Sequence, residues 1–181
     1  MNHFLNIKNK LEQFVRRYYL SSVLKGAILF FGIGLFYVLF WIAAEYFFWF
    51  SSTGRAIVFW SLILFETILF YKLICIPFLK YLKIRSGISN HEAAKIIGNF
   101  FPEINDKLLN VVQLNSQPAS ELIVASIQQK TKAFDKFSFK KAVQLKDNLK
   151  YLKYAVLPLM VIGIVYVCGG QSNFKDSFIR V

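Results

Sequence analysis

Long uncharged apolar runs alternate with basic, polar stretches along this chain. Three such runs are present, at residues 26–44, 56–77 and 154–170. Only the second is interrupted by charge, at Glu66 and Lys72. A helix of about 17–25 apolar residues crosses the hydrocarbon core of a bilayer at about 1.5 Å per residue. The pattern therefore predicts an all-α integral membrane protein with three transmembrane helices, over residues 26–50, 56–79 and 151–170.

Two other origins of an apolar run are less consistent with this chain. A soluble protein can bury one apolar helix, but 56% of these 181 residues are hydrophobic, and little polar sequence remains to cover three. A cleaved secretory signal has an apolar segment of roughly 7–15 residues. The first run is longer and follows a 25-residue basic stretch, so we interpret it as an uncleaved signal-anchor.

The distribution of the net charge of +12 predicts the orientation. Lysines and arginines follow the second run and precede the third, at Lys80, Lys83, Arg85, Lys140, Lys141, Lys146, Lys150 and Lys153. Positive residues near membrane spans favour the cytoplasmic side. We expect the N-terminus on the cytoplasmic side of the membrane and the tail at 171–181 on the opposite side. The lysines then face the anionic inner leaflet, at about 1 kcal/mol each, and we expect no nucleic-acid partner.

The first 25 residues predict a basic amphipathic helix. Its apolar positions include Phe4, Ile7, Leu11 and Phe14, at helical spacing. A basic amphipathic helix that precedes a span commonly lies in the headgroup plane, which is where we expect this arm; a protein partner is the alternative.

Residues 86–150 predict a small helical cytoplasmic module. Ser89 and Glu92 have the spacing of a capping box, and the helix that they begin should end before Pro102. Further helices are predicted over 103–114 and 119–134, followed by an extended connector. A core of this size is marginal alone, so we expect the module to lean on the membrane, on the N-terminal arm or on another protein.

Two acidic residues fall in or beside the predicted spans. Glu45 lies near the outer end of the first, where we expect it to reach water. Glu66 lies near the middle of the second, where a charge is costly and tends to face protein, take a partner or stay protonated. Glu66 is thus a candidate for an ion or proton pathway, or for a clamp that holds spans together by a hydrogen bond.

Motifs of catalysis or ligand binding are lacking in the sequence. There is no glycine-rich phosphate loop, HExxH or CxxC, and the histidines and acids have no spacing that indicates a triad or a metal site. We therefore predict a protein that is not an enzyme, with no catalytic residues, no cofactor and no metal.

Several stretches together resemble a known family. They are "YYLSSVLKGAILF", "EYFFWFSSTGRAIVFW", "NHEAAKIIGNFFPEINDKLLNVVQL", "SELIVASIQQK" and "NLKYLKYAVLPL". They are similar to the N-terminal membrane region of a family of large uncharacterised envelope proteins of Bacteroidetes-type bacteria. The resemblance implies a long extracytoplasmic portion after the spans. This sequence stops at Val181, so we expect a fragment or a short relative.

Together these features favour a non-enzymatic inner-membrane anchor or scaffold subunit of an envelope assembly. Its expected partners are the anionic inner leaflet and either another protein or further copies of the chain. Two alternatives stay open: a transport or channel subunit that uses Glu66, and a regulatory membrane module that binds an acidic cytoplasmic partner.

Overall fold

Every regular element in the described residues is helical, as the sequence predicts. The computed structural model describes residues 2–114, 134 and 136–167. Its α-helices are α1 (Asn2–Phe48), α2 (Ser52–Phe70), α3 (Ile76–Tyr81), α4 (Asn90–Phe100), α5 (Asn105–Leu114) and α6 (Leu152–Val167). A π-helical turn at Tyr71–Cys75 continues α2 into α3, and 3₁₀ turns lie at Pro102–Ile104, Phe139–Ala142 and Leu145–Tyr151. The helix predicted up to residue 134, apart from Phe134 itself, and the tail at 171–181 lie outside the described residues.

The chain forms two compact units, and α1 contributes to both. Unit 1 comprises Met1–Ser21 and Leu79–Leu145, and unit 2 comprises Ser22–Phe78 and Lys146–Val181. α1 runs for 47 residues without a break. The boundary that the sequence predicts at residue 25, between the N-terminal arm and the first span, is therefore not a helix end. A uniform helix is consistent with its composition, because it contains no proline.

Unit 1 has the core of an ordinary water-soluble domain. Ile7, Leu11 and Phe14 of α1 are buried in it. They pack in one cluster with residues of α4, α5 and the segment 134–143, namely Ala93, Ala94, Ile97, Leu108, Val111, Phe134 and Phe139. The expectation that the arm lies in the headgroup plane is therefore wrong, because its apolar face is already covered by protein. Of the three supports expected for the module, the structure shows the N-terminal arm.

Polar side chains of α1 hold the segment 134–143 in place. Lys10 Nζ donates to the Phe134 carbonyl at 3.1 Å, and Arg17 Nε donates to the Val143 carbonyl at 3.1 Å. The sequence predicted an extended connector here. A 3₁₀ turn forms instead at Phe139–Ala142, and both Phe139 and the following Val143 are buried in the core.

α4 begins and ends as the sequence predicts. The Ser89 hydroxyl accepts from the Glu92 N–H at 3.2 Å, and the Glu92 carboxylate accepts from the Ser89 N–H at 2.7 Å. The Ser89 N–H and the Ser89 hydroxyl, the latter at 3.2 Å, both donate to this carboxylate and hold the pKa of Glu92 below its ordinary value. The helix ends at Phe100, before Pro102, and the helix predicted next is α5.

Unit 2 is built from the remainder of α1, from α2 with its continuation, and from α6. Aromatic pairs join α1 to α2: the Tyr37 and Phe65 rings stack with centroids 4.2 Å apart, and Phe30 meets Phe70 edge to face at 5.7 Å. α1 approaches α6 closely at Gly32, where an added Cβ would lie 2.6 Å from the Tyr154 carbonyl oxygen. Close backbone contact at small residues is characteristic of helix packing in membranes.

Large apolar side chains cover the outside of unit 2. More than half of the side-chain surface is exposed at Phe31, Phe36, Trp60, Leu64, Leu159 and Met160. Within the described residues, Ile7–Phe48 and the continuous stretch Ser52–Tyr81 are long and apolar enough to cross a membrane, and no residue in the most apolar part of the latter is buried. α6 is apolar over its 16 described residues and contains Pro158; residues 168–170 of the predicted third span lie outside the described residues.

Candidate functional site

Glu66 faces the backbone of α1 in unit 2. A Cβ added at Gly34 would lie 2.5 Å from Glu66 Oε1 and 2.9 Å from Oε2. Real Cβ atoms do not approach other atoms so closely, so a side chain at residue 34 would displace the carboxylate. The place that the carboxylate occupies therefore depends on glycine at position 34.

The Glu66 cleft is an apolar space of about 390 Å³ beside this carboxylate. Residues of α1, α2 and α6 line it, namely Phe30, Phe31, Gly34, Leu35, Val38, Glu66, Ala155 and Leu159. Glu66 is the only ionisable or hydrogen-bonding side chain among them. Among the described residues, the structure gives Glu66 no hydrogen bond and no ion pair, so the hydrogen-bonded clamp considered from the sequence has no partner there.

Glu45 is buried, contrary to the expectation that it reaches water. Its side chain is 3% exposed and pairs with Arg55, with Nε 3.2 Å from Oε1. Its other oxygen, Oε2, accepts from the Phe50 N–H at 3.2 Å, and Arg55 Nε also donates to the Phe50 carbonyl at 3.1 Å. The hairpin between α1 and α2 is thus closed by one acid and one cation that both bind the backbone of Phe50.

Local geometry explains why this pair forms. α1 ends where Trp49 turns into the left-handed region at φ 48°, and Ser51 caps α2 by accepting from the Gly54 N–H at 3.3 Å. This tight turn brings residues 45 and 55 together. The sequence contained a usable signal, since Arg55 is the single cation between residues 45 and 55, but the pairing follows only once the turn is known.

A second cleft, in unit 1, is basic. This lysine cleft has a volume of about 240 Å³ and is lined by Lys10, Gln13, Lys136, Phe137, Ser138, Phe139 and Lys140. Three of these side chains are cations and none is a carboxylate. Lys10 is held by its bond to the Phe134 carbonyl and lies 6.0 Å from the Phe139 ring centroid. Such a lining can attract an anionic group.

The described residues do not bring together three histidine, cysteine, aspartate or glutamate side chains in a way that could hold a metal ion. The prediction that the chain needs no metal, no cofactor and no catalytic residue concerns its chemistry as a whole and stays a prediction.

Comparisons with models of protein families, with curated proteins and with solved structures found no match to this chain. The functional assignment therefore depends on the geometry of the molecule.

Proposed function

We propose that the chain is a non-enzymatic anchor or scaffold subunit of a bacterial inner-membrane envelope assembly. The observation that carries this proposal is the apolar exterior of unit 2, where side chains such as Phe36, Trp60 and Leu64 point outward. In water these side chains would form an aggregation-prone patch, whereas in lipid their exposure is favourable. Hydrophobic burial in the bilayer supplies the anchoring, and unit 1 is the part that meets cytoplasmic proteins.

The proposed topology has three spans, at 26–50, 56–79 and 151–170. The basic residues at the ends of unit 1 and at the start of α6, including Lys80, Lys83 and Lys153, favour the cytoplasmic side. The N-terminus and unit 1 are then cytoplasmic, the α1–α2 hairpin is periplasmic, and the chain leaves the third span towards the periplasm. The likeness to the N-terminal region of large envelope proteins supports the same arrangement, with a larger extracytoplasmic portion or partner beyond the third span.

Cysteine labelling in intact cells tests this topology. With Cys75 and Cys168 replaced by serine, Thr53→Cys in the hairpin should react with a membrane-impermeant maleimide from outside. Lys95→Cys, on the exposed side of α4, should react only after the cells are opened. A reporter fused after Val181 should be active only outside the cytoplasm. The reverse pattern would overturn the topology.

Anchoring is favoured over transport by the lining of the Glu66 cleft. A proton or ion pathway needs successive polar groups, and among the described residues that line the cleft Glu66 is the only one with a polar side chain. Replacing Glu66 with glutamine separates the two functions, because a transporter would lose flux in proteoliposomes while an anchor would keep its assembly.

A regulatory module that binds an acidic cytoplasmic partner is the second candidate, and the lysine cleft favours it. Lys136 and Lys140 are exposed beside the half-buried Lys10. The K136A/K140A variant of the full chain in nanodiscs should lose binding to a polyglutamate peptide, whereas K95A should not. Equal binding by both variants would remove this candidate.

A further inference from the structure

We propose that the Glu66 cleft binds a membrane-spanning helix of another protein, and that this helix carries a lysine or arginine near the middle of the bilayer. The inference rests on the proposed function, because it requires unit 2 to lie in lipid. It adds to that function the chemical nature of the partner and the place where the partner docks.

The first argument is the combination of one carboxylate with apolar walls. The Glu66 oxygens lie against the α1 backbone at Gly34 and have no hydrogen-bond or ion-pair partner among the described residues. Ionisable groups inside membranes pair with one another because isolation in hydrocarbon is costly. A cation is the complementary group, and the apolar walls suit the methylene stem of its side chain.

The second argument is that the described cations of unit 2 are engaged or placed elsewhere. Arg55 is paired with Glu45, Lys25 Nζ lies 4.5 Å from the Tyr151 ring centroid, and Lys153 Nζ lies 5.1 Å from that of Tyr154. Lys146 and Lys150 lie in the 3₁₀ turn before α6, where Lys150 Nζ is 5.4 Å from the Tyr151 ring centroid. Lys72 is six residues beyond Glu66, which is about 9 Å along a helix. A second copy in the same orientation would place the same side chains at the same depths. The opposing cation must therefore come from a different protein.

The third argument is size. The cleft of about 390 Å³ lies at the lower end of the range of about 300–1,000 Å³ for pockets that hold small ligands. It suits one long side chain and not a whole helix. The partner helix would therefore lie alongside unit 2 and insert a single residue.

A synthetic helix is the probe that tests the proposal. The full chain is reconstituted in lipid nanodiscs with a fluorescent donor on Thr53→Cys, in a background without Cys75 and Cys168. Three acceptor-labelled leucine–alanine peptides of transmembrane length are compared, with lysine, leucine or glutamate at the centre. The lysine peptide should bind about tenfold more tightly than the leucine peptide, the size of polar helix–helix contacts in membranes, and the glutamate peptide should bind no better than leucine.

The variants assign this preference to the cleft. Glu66→Leu should abolish it, and Ala155→Leu, which fills the cleft while keeping the carboxylate, should weaken it. Thr67→Leu is the matched control, because Thr67 is exposed on the same helix and its hydroxyl bonds its own helix at Ile63; it should leave the preference unchanged. Circular dichroism checks that each variant keeps its helices.

Equal binding of the lysine and leucine peptides would overturn the proposal, as would a preference that survives in Glu66→Leu. A Glu66-dependent association of the chain with itself, without peptide, would overturn it in favour of a second copy. If the cysteine labelling confirms three spans and the lysine preference is missing, only this inference fails; if the spans are not found, the proposed function fails first.

Discussion

Units 1 and 2 are both helical, yet the apolar residues lie inside unit 1 and on the outside of unit 2. In unit 1 the apolar residues are inside, as at Phe14, and the charged residues are outside, as in the exposed pair between Glu12 and Lys83 at 2.9 Å. In unit 2 large apolar side chains such as Phe36 are outside, and the carboxylates of Glu45 and Glu66 face inward. Because α1 contributes to both units, one helix shows both arrangements along its length.

Under the proposed topology, this difference follows from the surroundings of each unit and not from helix formation itself. A domain in water gains free energy by removing apolar surface from solvent. In a bilayer the outward apolar side chains are already surrounded by apolar lipid tails, so packing helices together removes no apolar surface from water. Helices there pack through close backbone contacts, aromatic pairs and polar groups. The close contacts at Gly32 and Gly34 in unit 2 are of the kind that a bilayer would favour, whereas Ala93 and Ala94 lie in a hydrophobic core.

The largest expected effect is the loss of a core side chain in unit 1. Phe14→Ala should destabilise unit 1 by about 3–5 kcal/mol, since the residue is fully buried. Phe36→Ala, the same change on the same helix in unit 2, should leave unit 1 unaffected because Phe36 is 56% exposed. Hydrogen exchange of the α4 and α5 amides in nanodiscs measures both. Equal loss of protection would contradict the division into units.

A charge on the outside of unit 2 should have the next largest effect. Leu64 is 63% exposed, so Leu64→Lys would be harmless or helpful in a water-soluble protein. In a membrane it should cost about 3 kcal/mol of insertion free energy and shift protein from the carbonate-resistant membrane fraction to aggregates. Gln13→Lys, at an exposed site of unit 1, is the control. Unchanged insertion of Leu64→Lys would count against lipid contact.

Breaking the ion pair of the hairpin should cost about 3 kcal/mol, at the lower end for a buried pair, because Arg55 is partly exposed. Arg55→Leu leaves Glu45 buried without its cation, and the Phe50 amide should exchange faster. The double variant with Glu45→Gln should recover part of the loss. Thr53→Ala in the same turn should do nothing measurable. A destabilisation by Arg55→Leu no larger than that by Thr53→Ala would mean that the pair does not close the hairpin.

Adding a methyl group at residue 34 should have a moderate effect. Gly34→Ala pushes the Glu66 carboxylate aside, and because the displaced atoms end a flexible side chain, the cost in stability should be no more than about 1 kcal/mol, measured by thermal unfolding in detergent. Glu66→Ala in the same chain should remove most of this cost. Gly163→Ala is the matched control, because a Cβ there meets nothing within 4 Å. Additive effects of the Gly34 and Glu66 changes would mean that the two residues are not in contact.

The smallest expected effect is the pH dependence of the α4 N-terminus. Because the pKa of Glu92 is lowered in the folded chain, its contribution is complete above the pKa of an unfolded glutamate, about 4.3. It is lost as the pH falls through the lower folded value. The first amides of α4 should therefore exchange faster in acid, and Glu92→Gln should remove this dependence. An unchanged pH profile in Glu92→Gln would show that another group is responsible.

The sequence predicted the helices well because their signals are local. The apolar runs, Ser89 with Glu92, and Pro102 each determine a boundary or a class of element within a few residues. The packing of the arm was not predictable in the same way. The apolar face of a basic amphipathic helix can pack equally well against lipid or against protein. Only the tertiary arrangement of α4 and α5 shows that protein covers it.

The site was predictable in part. Glu66 stands out in the sequence as an acid in an apolar run, but its contact with Gly34 depends on the register between α1 and α2. Where positions that face lipid and positions that face helices are both apolar, periodicity holds little information about that register. The pairing of Glu45 with Arg55 similarly depends on a turn that ends at Trp49 in a conformation unusual for tryptophan.

Spin labels read out the environment of the two units most directly. In lipid vesicles, a label at Leu64 should be far more accessible to oxygen, which concentrates in hydrocarbon, than to a water-soluble nickel chelate. A label at Lys95 in unit 1 should show the opposite preference. Ready access of the nickel chelate to residue 64 would mean that water, and not lipid, covers unit 2, and the proposed anchoring would be wrong.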